Sequence, residues 1–197
     1  MKIKYPNPSV NPDIKLTQNN KVKQNQHFEH RGMVFEHALN KSNEYYRNHD
    51  IAYIYKKPTP VQIVKVDYPK RSSAKIVEAY YQTPSTTDYN GIYKGKYIDY
   101  EAKETNNKSF PFKNIFPHQL DHLKNVSRHG GIAFVIIFFR TLEKVYLIDI
   151  NEFMKYYDSK ERQSITFEKI TEIGAEVKIG YSPEIDYIKT IDEYYKI

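Results

Sequence analysis

The sequence contains no cysteine. Disulfides, thiolate nucleophiles and cysteine-based zinc sites are excluded with it. A long apolar run is also missing: the most hydrophobic stretch, "GIAFVIIFF" at 131–139, is far too short to span a bilayer. The amino terminus has no signal-peptide hydrophobic core, so a cytoplasmic location with no membrane partner is expected. No internal repeat is visible.

Charge and tyrosine are abundant instead. The 197-residue chain carries 30 Lys and Arg against 24 Asp and Glu, a net charge of +6, with a pI near 9.1 and a mean hydropathy of −0.73. This basic balance points to a polyanionic partner, nucleic acid or an anionic surface. The 40% hydrophobic content still supports a globular fold, and the length suits one domain with an appendage.

Residues 1–28 are rich in Pro, Asn and Gln and lack apolar periodicity, so a disordered basic arm is expected there, followed by one domain over 29–197. Met33, Val34, Ala38, Leu39, Tyr45 and Tyr46 have the spacing of an amphipathic helix. After a short β-rich run at 51–57, "PTP" interrupts. Two extended runs, "VQIVKVDY" and "KIVEAYYQ", are joined by the basic turn "PKRSSA". Their mixture of Lys and apolar residues does not suit a buried sheet centre. One reading is an ordinary surface hairpin charged for solubility. The other, suggested by the prolines at one end and the basic tip, is an arm projecting from the domain with Lys70, Arg71 and Lys75 placed for phosphate contact. Next comes a second hairpin, whose turn is expected to contain Asn90-Gly91 and Gly95. A helix is predicted from Pro117 to Gly130-Gly131. "IAFVIIFF" reads as a strand buried on both faces, "KVYLIDI" as another strand and "NEFMKYYDS" as a helix. The order predicts an α/β domain with a mixed sheet.

The chemistry concentrates in "TTDYNGIYKGKYIDYEAKET" at 86–105. In a strand, Asp99, Glu101 and Lys103 share one face and Ile98, Tyr100 and Ala102 the other. A solvated charged face is one reading. The other pairs Asp88, on the preceding strand, with Glu101 to make an oxygen-rich site suited to Mg2+ or Mn2+. Lys103, roughly 6.6–6.8 Å further along the strand, is placed to stabilise charge on a phosphoryl group under attack. Glu36 offers a further carboxylate or a solvated helix face. His118 and His122 are spaced i, i+4 but lack a third nitrogen ligand, so DNA-contacting or solvated histidines are expected rather than zinc.

The spacing Asp-x12-Glu-x-Lys is the pattern of the PD-(D/E)xK nuclease superfamily. Longer strings carry a closer likeness. "KKPTPVQIVKVDYPKRS", "EAYYQTPSTTDYNGIYKGKYIDYEAKET" and "HQLDHL" followed by "GGIAFVII" resemble the RecU family of Holliday-junction resolvases, and the likeness runs from "RGM" at 31–33 to "IDYIKTIDEYY" at 185–195. It implies a restriction-endonuclease-like α/β core with a mixed central sheet flanked by helices, and a β-hairpin stalk inserted at about 57–84. It further implies a homodimer that nicks four-way junction DNA with Mg2+, Mn2+ being a substitute. The family's metal positions fall on Thr86, Asp88, Glu101 and Gln119, its transition-state lysine on Lys103, and basic DNA-binding positions on Lys56 and Arg71. A recombinase and a branch-migration motor are the protein partners such an enzyme implies. Tyr55 stands where the family has histidine, and "NNKSFPFKN" is about one residue short. The rival readings are a nuclease that cuts duplex DNA and a catalytically idle junction-binding scaffold.

Overall fold

The computed structural model describes residues 35–82, 86–159 and 161–197, apart from the Arg71 side chain. The arm expected at 1–28, its boundary with the domain, and Met33 and Val34 lie outside the described residues. The first helix, α1, covers 35–48. It is followed by β1 (Tyr53–Lys56), β2 (Val61–Asp67), β3 (Lys75–Tyr81), β4 (Tyr89–Tyr93), β5 (Lys96–Thr105) and β6 (Ser109–Pro111). Next come α2 (Pro117–Arg128), β7 (Ile132–Phe139), β8 (Lys144–Asp149), α3 (Ile150–Ser159), β9 (Ser164–Thr166), α4 (Phe167–Ile173), β10 (Ala175–Val177) and α5 (Tyr187–Tyr195).

Six strands form one sheet in the order β1-β4-β5-β7-β8-β10. The β5 and β7 strands run parallel; the other pairings are antiparallel. Side-chain alternation divides the interior into two cores. Ile98, Tyr100, Ile132, Phe134, Ile136 and Leu147 pack with Leu39 and Tyr46 of α1 and with Ile188 and Ile191 of α5. Ala133, Val135, Ile137 and Ile148 point the other way, onto Leu120 and Leu123 of α2, Phe153 of α3 and Ile170 of α4. The sheet is therefore covered on both faces, which is why "IAFVIIFF" in β7 is apolar at every position. Helix, strand, hairpin, helix and buried strand follow in the order expected of the PD-(D/E)xK core.

Two local expectations need correction. Asn90-Gly91 does not make the β4–β5 turn. Both residues lie inside β4, and the turn is made by Lys94 and Gly95, each at positive φ. Gly91 is required by a neighbour instead: a Cβ there would stand 2.2 Å from the Tyr53 carbonyl oxygen of β1. The charged face of β5 is not solvated either, because α2 lies over it and leaves Asp99 and Glu101 with no exposed surface.

The expected hairpin is present as β2 and β3, an antiparallel pair in a separate two-stranded sheet. Every residue of both strands is exposed, as a stalk that leaves the domain requires. Its turn holds Lys70 and the short 3-10 segment Arg71–Ser73, and Lys75 opens β3 beside it. The Lys70 and Lys75 side chains are exposed; that of Arg71 lies outside the described residues. No helix among the described residues is long and apolar enough to cross a membrane.

Candidate active site

The site forms where three segments meet: the end of the stalk's return leg at 86–88, the middle of β5, and the first turns of α2. Pairing of Tyr89 with Tyr100 sets the register and brings Asp88 beside Glu101, whose Oε2 accepts the Asp88 backbone N–H at 3.2 Å. Lys103 Nζ stands 2.6 Å from Glu101 Oε1 and keeps 23% of its side chain exposed.

Helix α2 begins at Pro117, whose missing N–H suits a first helical position. Gln119 then bridges helix and strand. Its Oε1 accepts the Phe116 backbone N–H at 3.0 Å, and its Nε2 donates to Glu101 Oε1 at 2.8 Å. Thus Glu101, wholly buried, is held by Gln119, Lys103 and the Asp88 N–H at once. Burial is the first cause pushing the Glu101 carboxyl up to about 7; the positive charge of Lys103 opposes the rise and the charge of Asp88 adds to it.

Two clefts flank Asp88. One, of about 420 Å³, is lined by Glu36, Asp88, Lys103, Lys113, Asn114 and Phe116, among others. The other, of about 190 Å³, is lined by Lys56, Lys57, Thr59, Thr86, Thr87 and Asp88 along with the prolines at the stalk base. Thr86 therefore stands beside Asp88 on the stalk side. Glu36 and Lys56 pair with each other at 2.5 Å on the exposed rim, so the extra carboxylate of α1 and the basic position at the stalk base neutralise one another. Among the described residues, no three His, Asp or Glu side chains converge on one point. The clefts open onto Asp88, whereas Glu101 has no exposed surface.

A buried carboxylate facing a second carboxylate is the arrangement that a divalent cation relieves, and hard oxygen donors suit Mg2+. The clefts beside Asp88 leave room for the waters that Mg2+ retains and for a phosphate oxygen. The residues therefore fit a Mg2+ ion held by Asp88 and Glu101. In the observed rotamer Gln119 offers Glu101 its amide N–H, while its amide oxygen is engaged at the helix start.

The sequence reading missed Asp99. This wholly buried carboxylate accepts hydrogen bonds at Oδ2 from Lys57 Nζ at 2.8 Å, Tyr97 OH at 2.8 Å and His122 Nε2 at 2.9 Å, and at Oδ1 from the Thr87 hydroxyl. His122 accordingly turns one ring nitrogen inward onto Asp99 and keeps 26% of its side chain exposed. His118 stacks on Phe116, with ring centroids 5.6 Å apart. The one available signal for Asp99 was its place two residues before Glu101, on the face that α2 covers.

The model of the family described as "Recombination protein U", RecU, matches residues 30–193. A Holliday junction resolvase RecU from Geobacillus sp. (strain WCH70) is 56% identical over 169 residues, covering 84% of each chain. The RecU resolvase of Bacillus thuringiensis (strain Al Hakam) is 49% identical over 199 residues, 99% of each chain. Archaeoglobus fulgidus Hjc, a Holliday junction resolvase of solved structure, superposes at a TM-score of 0.40 with 13% identity, over 77% of this chain and 94% of that one; likeness at that level does not bear on the fold. With the family pattern matched across almost the whole described domain, and with relatives this similar along nearly their full length, the chain belongs to the RecU family.

Proposed function

We propose that the protein is a Mg2+-dependent endonuclease that resolves four-way DNA junctions by phosphodiester hydrolysis. The observation that carries this reading is the buried Glu101 carboxylate, held by Gln119 and Lys103 and set against Asp88 at the edge of an open cleft. Bound there, Mg2+ supplies a Lewis acid for the scissile phosphate and lowers the pKa of an attacking water. Asp88 and Glu101 hold the ion. Thr86, on the stalk side of Asp88, and Gln119, across Glu101, complete its surroundings. Gln119 acts in the observed rotamer by fixing the orientation of Glu101.

Lys103 neutralises part of the Glu101 charge and keeps part of its side chain exposed at the cleft. From there it meets the negative charge that accumulates on the phosphate oxygens as the bond breaks. The exposed stalk carries Lys70 and Lys75 away from the core and toward a junction's branch point, where the phosphates of several arms converge. Lys113 supplies positive charge at one cleft beside Asp88; at the other, Lys56 meets a DNA phosphate by giving up its pairing with Glu36. Cutting two opposite strands requires two sites, so the working form is a homodimer, with Mn2+ as a substitute metal and the cytoplasm as the compartment.

The test compares cleavage of a mobile four-way junction with that of a linear duplex in Mg2+. Selective junction cleavage supports the reading. Equal cleavage of both substrates favours a duplex nuclease, and junction binding without cleavage favours a scaffold.

A further inference from the structure

The side-chain hydrogen bonds of the Asp99 cluster do not reach the Asp88 or Glu101 carboxylate, yet they join the segments that carry both. Thr87, which donates to Asp99 Oδ1, lies between Thr86 and Asp88. Asp99 itself stands two residues before Glu101 on β5. His122, which faces Oδ2, is one helical turn beyond Gln119 on α2. Lys57 closes the cluster: its Nζ bonds Asp99 at 2.8 Å and the Thr87 hydroxyl at 2.9 Å, and its backbone N–H donates to the Asp88 carbonyl at 2.7 Å.

We propose that Asp99 and Lys57 are positioning residues for metal capture, holding the 86–88 segment and α2 in fixed register with Glu101. This rests on the reading of Asp88 and Glu101 as the metal-holding pair. A buried carboxylate is retained at this cost in desolvation only when several donors satisfy it. Asp99 has four, and they come from the stalk base, the loop, its own strand and the helix. Its oxygens are engaged, so it serves as a hub and not as a ligand. Lys57 also immediately precedes Pro58-Thr59-Pro60, where the outgoing leg of the stalk begins, while Thr86 to Asp88 receive the returning leg. The hub therefore fixes the place where the stalk joins the nuclease core, and a displacement of the stalk is delivered to Asp88.

The full-length protein is tested with Asp99→Asn, Lys57→Met and the milder Thr87→Val, which removes one donor and keeps the shape. Mn2+ binding to the DNA-free protein is measured by calorimetry, single-turnover junction cleavage across a Mg2+ titration, and thermal unfolding alongside. Displacing residues that orient metal ligands weakens metal binding by roughly 10–100-fold. That loss is expected for Asp99→Asn and Lys57→Met, with a smaller one for Thr87→Val, and cleavage should recover at high Mg2+. Should Asp99→Asn lose its cooperative unfolding transition, Thr87→Val and Lys57→Met decide. Unchanged metal affinity in these variants, or a cleavage defect that excess Mg2+ does not repair, overturns the proposal. If the unaltered protein itself shows no saturable Mn2+ binding, the metal-pair reading fails, and this proposal with it.

Discussion

Replacing Glu101 with Gln should abolish cleavage and yet make the metal-free protein more stable at pH 8. Glu101 has no exposed surface, and its carboxyl is pushed from the ordinary 4.5 up to about 7, first by burial and further by the charge of Asp88. A carboxyl whose folded value lies above its unfolded value holds its proton more tightly when folded. Its contribution to stability is fully present below the unfolded value and is lost as pH rises through the folded one. At about 1.4 kcal/mol per pH unit, ionising Glu101 at pH 8 costs on the order of 3 kcal/mol when no metal is present. Glutamine keeps the shape and carries no charge, but it leaves one hydrogen bond, to the Asp88 N–H or to Lys103, unmade, at about 1 kcal/mol. The net gain is about 2 kcal/mol, or roughly 4–8 °C in Tm for a domain of this size. At pH 5 the parent is already largely protonated, and the gain should vanish.

Magnesium reverses the order. At a concentration of one hundred times its Kd it adds about 2.7 kcal/mol to the parent, and it should add almost nothing to Glu101→Gln. Thermal unfolding at pH 5 and pH 8, in EDTA and in Mg2+, reads all of these outcomes. A Glu101→Gln protein less stable than its parent at pH 8 in EDTA, or equally changed at both pH values, would refute the reasoning.

Three other perturbations follow from the same geometry. Lys103→Ala should lower the single-turnover cleavage rate by about 10²–10³-fold. Because Lys103 favours the ionised form of Glu101, its removal should also move the acid limb of the pH–rate profile upward, and an unchanged rate and profile would reduce Lys103 to a charge on a strand. Replacing Lys70-Arg71-Ser72-Ser73 with Gly and Ser should weaken junction binding more than duplex binding. It should also flatten the salt dependence by roughly 0.9 in slope for each phosphate the stalk no longer neutralises; equal losses on both substrates would make the stalk tip a generic basic patch. Gly91→Ala should cost about 1–3 kcal/mol through overpacking against β1, with loss of amide-exchange protection over Tyr53–Lys56 as the local sign.

The legible parts of the fold were those in which one segment carries its own signal. The apolar run of β7 announces burial on both faces, and Pro117 and Gly130 bracket α2. The Asp88, Glu101 and Lys103 set was readable because strand alternation and hairpin pairing bring those residues together locally. What stayed hidden depends on partners distant in sequence. Asn90-Gly91 is the strongest short-range turn signal in the chain, but pairing of β4 with β1 claims it, and the glycine serves the close approach of Tyr53. Asp99 looks like any polar residue on an alternating strand until α2 covers that face and His122, Lys57 and Thr87 close around it. Lys56 reads as a free basic residue, although Glu36 of α1 is its neighbour. The three-residue strands β9 and β10 are too short to show any period.

The central claim is that Asp88 and Glu101 hold the divalent cation that cuts a four-way junction. Its most direct test is single-turnover cleavage of a mobile junction with each strand labelled in turn, using the unaltered protein and Asp88→Asn in Mg2+. The account predicts paired nicks in two opposite strands from the unaltered protein, none in EDTA, and none from Asp88→Asn despite junction binding close to normal. Cleavage by Asp88→Asn at the parent rate, or by the parent in EDTA, would contradict it.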